Sequence, residues 1–264
     1  MSQFPADWSV PRFSEDILKE KSTRYCLVIP VINEGERIRD ELQQIRETGA
    51  AEGLDVVIAD GGSTDGSLER SFLESVGVAA LLTKRDTGRL SAQLRMAYAW
   101  TLQQGYEGIV TIDGNGKDSV ESIPLFVRAL DEGIDYAQAS RFIRGGKNNN
   151  APLVRILAIR LLHAPLTSLA ARKWLTDTTQ GFRSYSRRYL LDEQVKPFRS
   201  CFQDYELLAY LAVRATQLGY TAVEIPTTRT YPTDGAIPTK INTLRGCADL
   251  LNTLLAACLG KFNP

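Results

Sequence analysis

The stretch Gly108 to Asp118, GIVTIDGNGKD, decides how this chain is read. Ile109, Val110, Thr111 and Ile112 form an apolar, β-branched run, the pattern of a strand buried on both faces. The run passes straight into a turn holding Asp113, Asn115, Lys117 and Asp118 between glycines. Open α/β sheets bind ligands outside the carboxyl ends of their strands, so Asp113 to Asp118 is expected to form the floor of an active site.

The same strand-then-helix order repeats on the amino-terminal side. Tyr25 to Val31 (YCLVIPV) reads as a strand that ends at Asn33 and Glu34, followed by an amphipathic helix in GERIRDELQQIRETG. Leu54 to Ala59 is a second buried strand that stops at Asp60, and GGSTDGS is expected to open a helix capped by Ser63, Thr64 or Asp65. Val78 to Thr83 and Tyr136 to Phe142 are further strands, with helices over Gly88 to Gln104 and Ser119 to Leu130. The alternation predicts an α/β fold with a mostly parallel sheet covered on both faces. Glu34, Asp60 and Asp113 then end three strands of one sheet and converge on one edge. Gly61 and Gly62 leave room there for a ligand to approach backbone.

Composition narrows the function classes. In 264 residues, 44% are apolar and 23% charged, enough for one large domain with a full core. Lys plus Arg equals Asp plus Glu, so overall charge gives nucleic-acid binding no support. Cys26, Cys201, Cys247 and Cys258 form no CxxC and His163 is the single histidine, which argues against a zinc site and points to a reducing, cytoplasmic setting. Walker-type and GxGxxG loops are absent. Met1 to Arg24 reads as a polar, helical leader without targeting character, and no uninterrupted run reaches the roughly 20 apolar residues of a spanning helix.

Beyond Phe142 the pattern changes. Tyr136 to Thr176 contains no acidic residue but has Arg141, Arg144, Lys147, Arg155, Arg160, Arg172 and Lys173 among Leu, Ile, Val and Trp174. Such a basic, apolar helical segment fits an anionic membrane surface or phosphates, and equally a solvated face over an ordinary core. Pro165 is expected to kink or split it. Asp177 to Arg188 reads as an arginine-rich turn, Phe202 to Leu218 as a helix, and Thr221 to Thr230 as a strand placed at an edge by Pro226. The final helix, Ile241 to Leu259, aligns Leu244, Cys247, Ala248, Leu251, Leu254, Leu255 and Cys258 on a stripe for core, partner or lipid.

Five motifs in order, VIPVINEGERI, VVIADGGSTDGS, TIDGNGKDSVESIP, ASRF and DTTQGFR, resemble glycosyltransferase family 2, and within it the dolichyl-phosphate and polyprenyl-phosphate sugar synthases. The resemblance runs from about Tyr25 to Lys240. It implies a GT-A fold over 25–240, a leader over 1–24 and a carboxyl-terminal amphipathic helix over 241–264. It further implies inversion at the sugar, a nucleotide-diphosphate sugar donor and usually Mg2+ or Mn2+. By position, Pro30, Val31, Asn33, Glu34, Asp60, Gly61 and Arg89 fall with donor-binding residues. Asp113 and Asn115 fall on the two acids of the metal-binding Asp-x-Asp motif. Arg141, Gln180, Arg183 and Lys240 fall on the acceptor and phosphate side, together with Asp177, Gly181 and Phe182.

Two departures bear on the metal. Asn115 replaces an acid, and an amide is a weaker ligand than a carboxylate for a hard cation. Lys117 replaces a neutral residue and is positioned to set an ammonium against the donor diphosphate. Metal dependence is therefore expected to be weakened or absent. A polyprenyl-phosphate acceptor needs no general base, so Asp113, Lys117 and Arg141 would act by positioning and charge. A hydroxyl acceptor needs one, for which Asp204 or Glu206 in FQDYE is the candidate. A non-catalytic nucleotide-sugar-binding partner is the reading from another class. Peripheral attachment to the inner face of the membrane is expected for the lipid acceptor.

Overall fold

A computed structural model describes residues 4–233 and 244–264. The chain runs β1 (Phe13–Ile17), β2 (Tyr25–Val31), α1 (Glu36–Thr48), β3 (Leu54–Asp60), α2 (Arg70–Ser75), β4 (Val78–Lys84), α3 (Leu90–Gln103) and β5 (Gly108–Thr111). It continues through α4 (Ile123–Asp131), β6 (Tyr136–Ser140), β7 (Lys147–Asn149), α5 (Leu153–Ala158), a π-helical turn (Ile159–His163) and α6 (Ala164–Ala171). Then follow β8 (Arg183–Ser186), α7 (Arg187–Leu190), α8 (Glu206–Gln217), β9 (Ala222–Pro226), β10 (Thr228–Thr230) and α9 (Leu244–Cys258).

Eight strands form one sheet in the order β1-β4-β3-β2-β5-β8-β6-β9. The β2, β3, β4 and β5 pairings are parallel, as the strand-helix alternation predicts, and β9 lies at an edge as Pro226 requires. Side chains alternate across the sheet. On β2, Val28 faces a core built with α3 and α8, including Met96, Trp100 and Leu211. Leu27 and Ile29 face the opposite core with Ile38, Leu42, Ile45 and Phe126 from α1 and α4. Gly108 opens β5 because a Cβ there would stand 2.9 Å from Leu130 and 3.0 Å from Tyr25.

Several expectations need correction. The leader is not helical: Phe13–Ile17 pairs antiparallel with β4 and covers what would be an exposed edge. Its short alternating run, FSEDI, was too polar to signal a strand by apolar pattern. The helix after Asp60 begins only at Arg70, behind Glu69, and none of Ser63, Thr64 or Asp65 caps it. The arginine-rich segment after Asp177 contains β8, which inserts antiparallel between β5 and β6, pairing Ser184 with both Val110 and Ala137.

The basic apolar segment forms one continuous helix over Leu153–Ala171, with the π-helical turn just before Pro165. Proline offers no N–H to the preceding turn, and widening the helix there absorbs the loss without a break. At 19 residues this helix is long and apolar enough to cross a membrane by length and composition. Arg155 and Arg160 interrupt the apolar run in the sequence, which hid the helix from a count of consecutive residues. Its outer face is bare: Leu153, Val154, Leu161 and Leu169, with Trp174 beyond, are 68 to 80% exposed. By contrast, α9 packs against α6 and α8 and buries Leu254 and Ala257, while Leu255 of its stripe is exposed.

Phe182 ties β8 to the helices. Its ring is fully buried and stacks on Phe126 with centroids 4.1 Å apart. Phe182→Ala is expected to destabilise the fold by about 3–5 kcal/mol, read as a lowered denaturant midpoint with little change in m-value.

Candidate active site

The carboxyl ends of β2, β3 and β5 open onto a cleft of about 810 Å³. Asp113 and Asn115 line its floor, and Pro30, Val31, Glu34, Gly61 and Arg89 line one wall. The opposite side is formed by Arg155, His163 and Thr167 from the long helix, by Leu208, Ala209 and Ala212 of α8, and by Leu254 of α9.

Close packing fixes the floor. A Cβ on Gly114 would press to 3.0 Å on Ile29 and Val31. A Cβ on Gly181 would stand 1.9 Å from Asp113 Oδ1, so the glycine of the Gln-Gly-Phe-Arg motif lets the Asp113 carboxylate lie against the backbone just before β8. Beneath the loop, Glu41 of α1 accepts the Gly116 N–H at 2.8 Å. Burial raises the Glu41 carboxyl well above the usual range, against the lowering effect of the Gly116 N–H.

On the wall of Pro30, Val31, Glu34 and Gly61, Asn33, Asp60 and the cap candidate Asp65 hold the loops together. Asn33 adopts a left-handed φ of 48° and its Oδ1 accepts the Thr64 N–H at 2.8 Å. Asp65 accepts the Gly35 N–H at 2.8 Å and the Ser67 hydroxyl at 2.7 Å. Asp60, buried, takes both the Ser63 N–H and hydroxyl on one oxygen. Asn33 and Asp60 thus brace the wall behind Gly61 rather than forming it. Glu34 pairs with Arg37 at 2.8 Å at the cleft margin. Lys84 and Gln93, not singled out in the sequence, also line this wall.

The cations are distributed differently from the motif reading. Arg141 is 3% exposed and forks onto Asp177 at 2.6 and 3.0 Å. Burial opposes the charge of Asp177, yet Arg141 holds its carboxyl below the usual range. Gln180 donates to the same carboxylate at 2.7 Å. Arg183 is buried and donates to the carbonyls of Gln180, Thr178 and Leu208. Arg141, Gln180 and Arg183 therefore build the frame of the site, their donors already engaged. Lys240 lies outside the described residues. Asp204 stays at the surface, its side chain 54% exposed and 3.8 Å from Arg89, while Tyr205 and Leu208 form the adjacent cleft wall.

Arg229, not singled out in the sequence, and Arg155, named there only within the basic apolar segment, also line the cleft. Arg229 of β10 is buried between Asp118, at 2.5 Å, and Asp113, at 3.4 Å. Burial opposes its charge, but the two carboxylates outweigh burial and raise its pKa further. Its alternating strand context, TTRT, gave no reason to separate it from a solvated face. Arg155 sits in the first turns of the long helix. Lys117 completes the group: burial, then the neighbouring Arg229, pushes its ammonium down to about 8.

These residues do not make a resident metal site. Asn115 Oδ1 is buried without a hydrogen-bond partner, as a ligand atom would be, but Asp113 faces a guanidinium. Among the described residues no group of three or more His, Cys, Asp or Glu could hold an ion. One carboxylate and one amide are too few without oxygens from a bound substrate.

A sheet with this order, with an acidic floor and a cationic rim at the strand ends, defines a nucleotide-sugar-using glycosyltransferase of the GT-A fold. The Glycosyl transferase family 2 model matches residues 26–192, and the chain belongs to that family. It is 26% identical over 213 residues to the polyprenol monophosphomannose synthase of Mycolicibacterium smegmatis, covering 78% of this chain and 77% of that protein. It is 27% identical over 208 residues to the undecaprenyl-phosphate mannosyltransferase of Micrococcus luteus, covering 78% and 83%. Among solved structures, glucosyl-3-phosphoglycerate synthase from Mycobacterium tuberculosis with Mn2+, UDP and phosphoglyceric acid superposes with a TM-score of 0.63 at 16% identity, covering 91% of this chain and 78% of that one.

Gly181→Ala, by displacing Asp113, is expected to lower kcat/KM by about 100-fold while the far-ultraviolet spectrum is retained. Lys117 must be protonated to carry charge, and its folded value lies below the ordinary 10.5, so kcat/KM should fall as pH rises through about 8. In Lys117→Arg, whose guanidinium stays charged, the pH–rate profile should lose that alkaline limb.

Proposed function

We propose that this enzyme transfers a sugar from a nucleotide-diphosphate sugar to a polyprenyl phosphate at an anionic membrane surface, with inversion at the sugar. One observation carries the reading: Arg155 lines the cleft beside Lys117 and Arg229, and it belongs to the same helix whose outer face exposes Leu153, Val154, Leu161 and Leu169. A lipid with a phosphate head needs this conjunction of cations inside and apolar surface outside. The named activities of the Mycolicibacterium and Micrococcus relatives support the same acceptor class.

The acceptor phosphate is already ionised at neutral pH, so the reaction needs no general base. Its oxygen attacks the anomeric carbon of the sugar, and the nucleotide diphosphate departs with the bonding electrons. Lys117 and Arg229 are set to stabilise that developing charge in a partly dehydrated cleft, and Asp113 orients them and the sugar. The surface position of Asp204 gives a hydroxyl acceptor no comparable support. Pro30, Val31, Glu34, Gly61 and Arg89 are assigned to the donor.

Related solved structures contain Mn2+ or Mg2+ with UDP. In this chain Lys117 and Arg229 supply fixed positive charge where Asn115 weakens an ion's hold, and metal dependence is correspondingly small. The long helix seats the protein peripherally on the cytoplasmic face.

Purified protein given a panel of nucleotide-diphosphate sugars and undecaprenyl phosphate should form a lipid-linked sugar and float with anionic liposomes. Most of the rate should persist in EDTA. Transfer to no polyprenyl phosphate with any donor would sink the acceptor assignment; complete loss in EDTA restored by magnesium would sink the metal assignment.

A further inference from the structure

We propose that Tyr231 is a positioning residue for this site: its phenol oxygen is the shared acceptor that sets Arg155, carried by the apolar helix, against Arg141 and the Asp113–Asp118 loop. The hydroxyl lies 3.1 Å from Arg141 Nη1 and 3.5 Å from Arg155 Nη1. Guanidinium groups only donate, so both contacts occupy lone pairs of the one oxygen. The ring lies under three cations, its centroid 5.5 Å from Arg155 and 5.8 Å from both Lys117 and Arg229. The ring itself is held from behind. Tyr231 is 1% exposed, its N–H donates to the Asn149 carbonyl at 3.0 Å, and its carbonyl accepts from Asn150 at 3.3 Å.

Four cations from four separate segments thus meet one phenol. Asp177 balances Arg141, while Asp118 and Asp113 balance Arg229. Among the described residues Arg155 forms no ion pair, and its hydrogen bond is the one to Tyr231. Losing the hydroxyl would therefore release Arg155 selectively. The chain has ten tyrosines. Burial raises the other nine above the ordinary value of 10.0. For Tyr231 alone, burial is outweighed by Arg229, Arg141 and Arg155, which push it down. This gives Tyr231 its own optical signature.

The kinetic consequence rests on the polyprenyl-phosphate reading, and the optical one stands without it. Tyr231→Phe keeps the ring and removes the oxygen. It should raise KM for undecaprenyl phosphate about tenfold, the scale of a hydrogen bond to a charged group, and KM for the donor less than about threefold. In an Arg155→Met background the same substitution should add less than about twofold. Donor and acceptor KM rising together, or independent multiplication of the two substitutions, would overturn the proposal. At 295 nm the wild type should show one tyrosine ionising below pH 10.0, absent in Tyr231→Phe and moved upward in Arg155→Met. Superimposable titrations of wild type and Tyr231→Phe would also overturn it. If wild type shows this titration but transfers nothing to undecaprenyl phosphate, the acceptor reading fails and the positioning role stands.

Discussion

Arg229, buried between Asp118 and Asp113, is the constraint on which the site depends. A guanidinium taken out of water is tolerated only with paired carboxylates and satisfied donors, and removing one partner of such a pair typically costs about 3–5 kcal/mol. The loop after β5 and the strand β10 are far apart in sequence, and this ion pair holds them together at the mouth of the sheet. The same pairing alters what the floor can do. Asp113 has a built-in cationic neighbour in Arg229.

A second buried pair, Arg141 with Asp177, frames the other side. Gln180, Arg183 and Gly181 complete that frame through backbone carbonyls and close packing. Residues that look like phosphate ligands in a motif are here the supports that fix where ligands go. Lys117, Arg155 and Arg229 line the cleft beside that frame. Arg155 belongs to a helix whose outer face exposes Leu153, Val154, Leu161 and Leu169.

Much of this was legible in the sequence, for particular reasons. Strands β2 to β6 announce themselves as apolar runs ended by Glu34, Asp60 or a glycine-rich turn, because a parallel sheet buried on both faces demands such runs. Where burial is one-sided or short the signal fades. FSEDI alternates too weakly to reveal β1, and RSYS of β8 hides within a cluster of arginines. The helix over Leu153–Ala171 was legible as a basic, apolar helical segment, but Arg155 and Arg160 broke the run of consecutive apolar residues and so concealed its apolar length.

The sequence by itself determined the class of fold, the sheet edge that binds ligand, and Asp113, Asn115 and Lys117 as its floor, because those follow from local periodicity and from polar residues set directly after strands. Only the tertiary structure decided which charges are engaged and which face the cleft. Arg141 and Arg183 are committed to Asp177 and to carbonyls, Asp204 is left at the surface, and Arg229, Arg155 and Tyr231 are drawn in from distant segments. A charge's role depends on its nearest partner and its distance from water, and both are set by non-local packing that residue spacing along one chain does not encode.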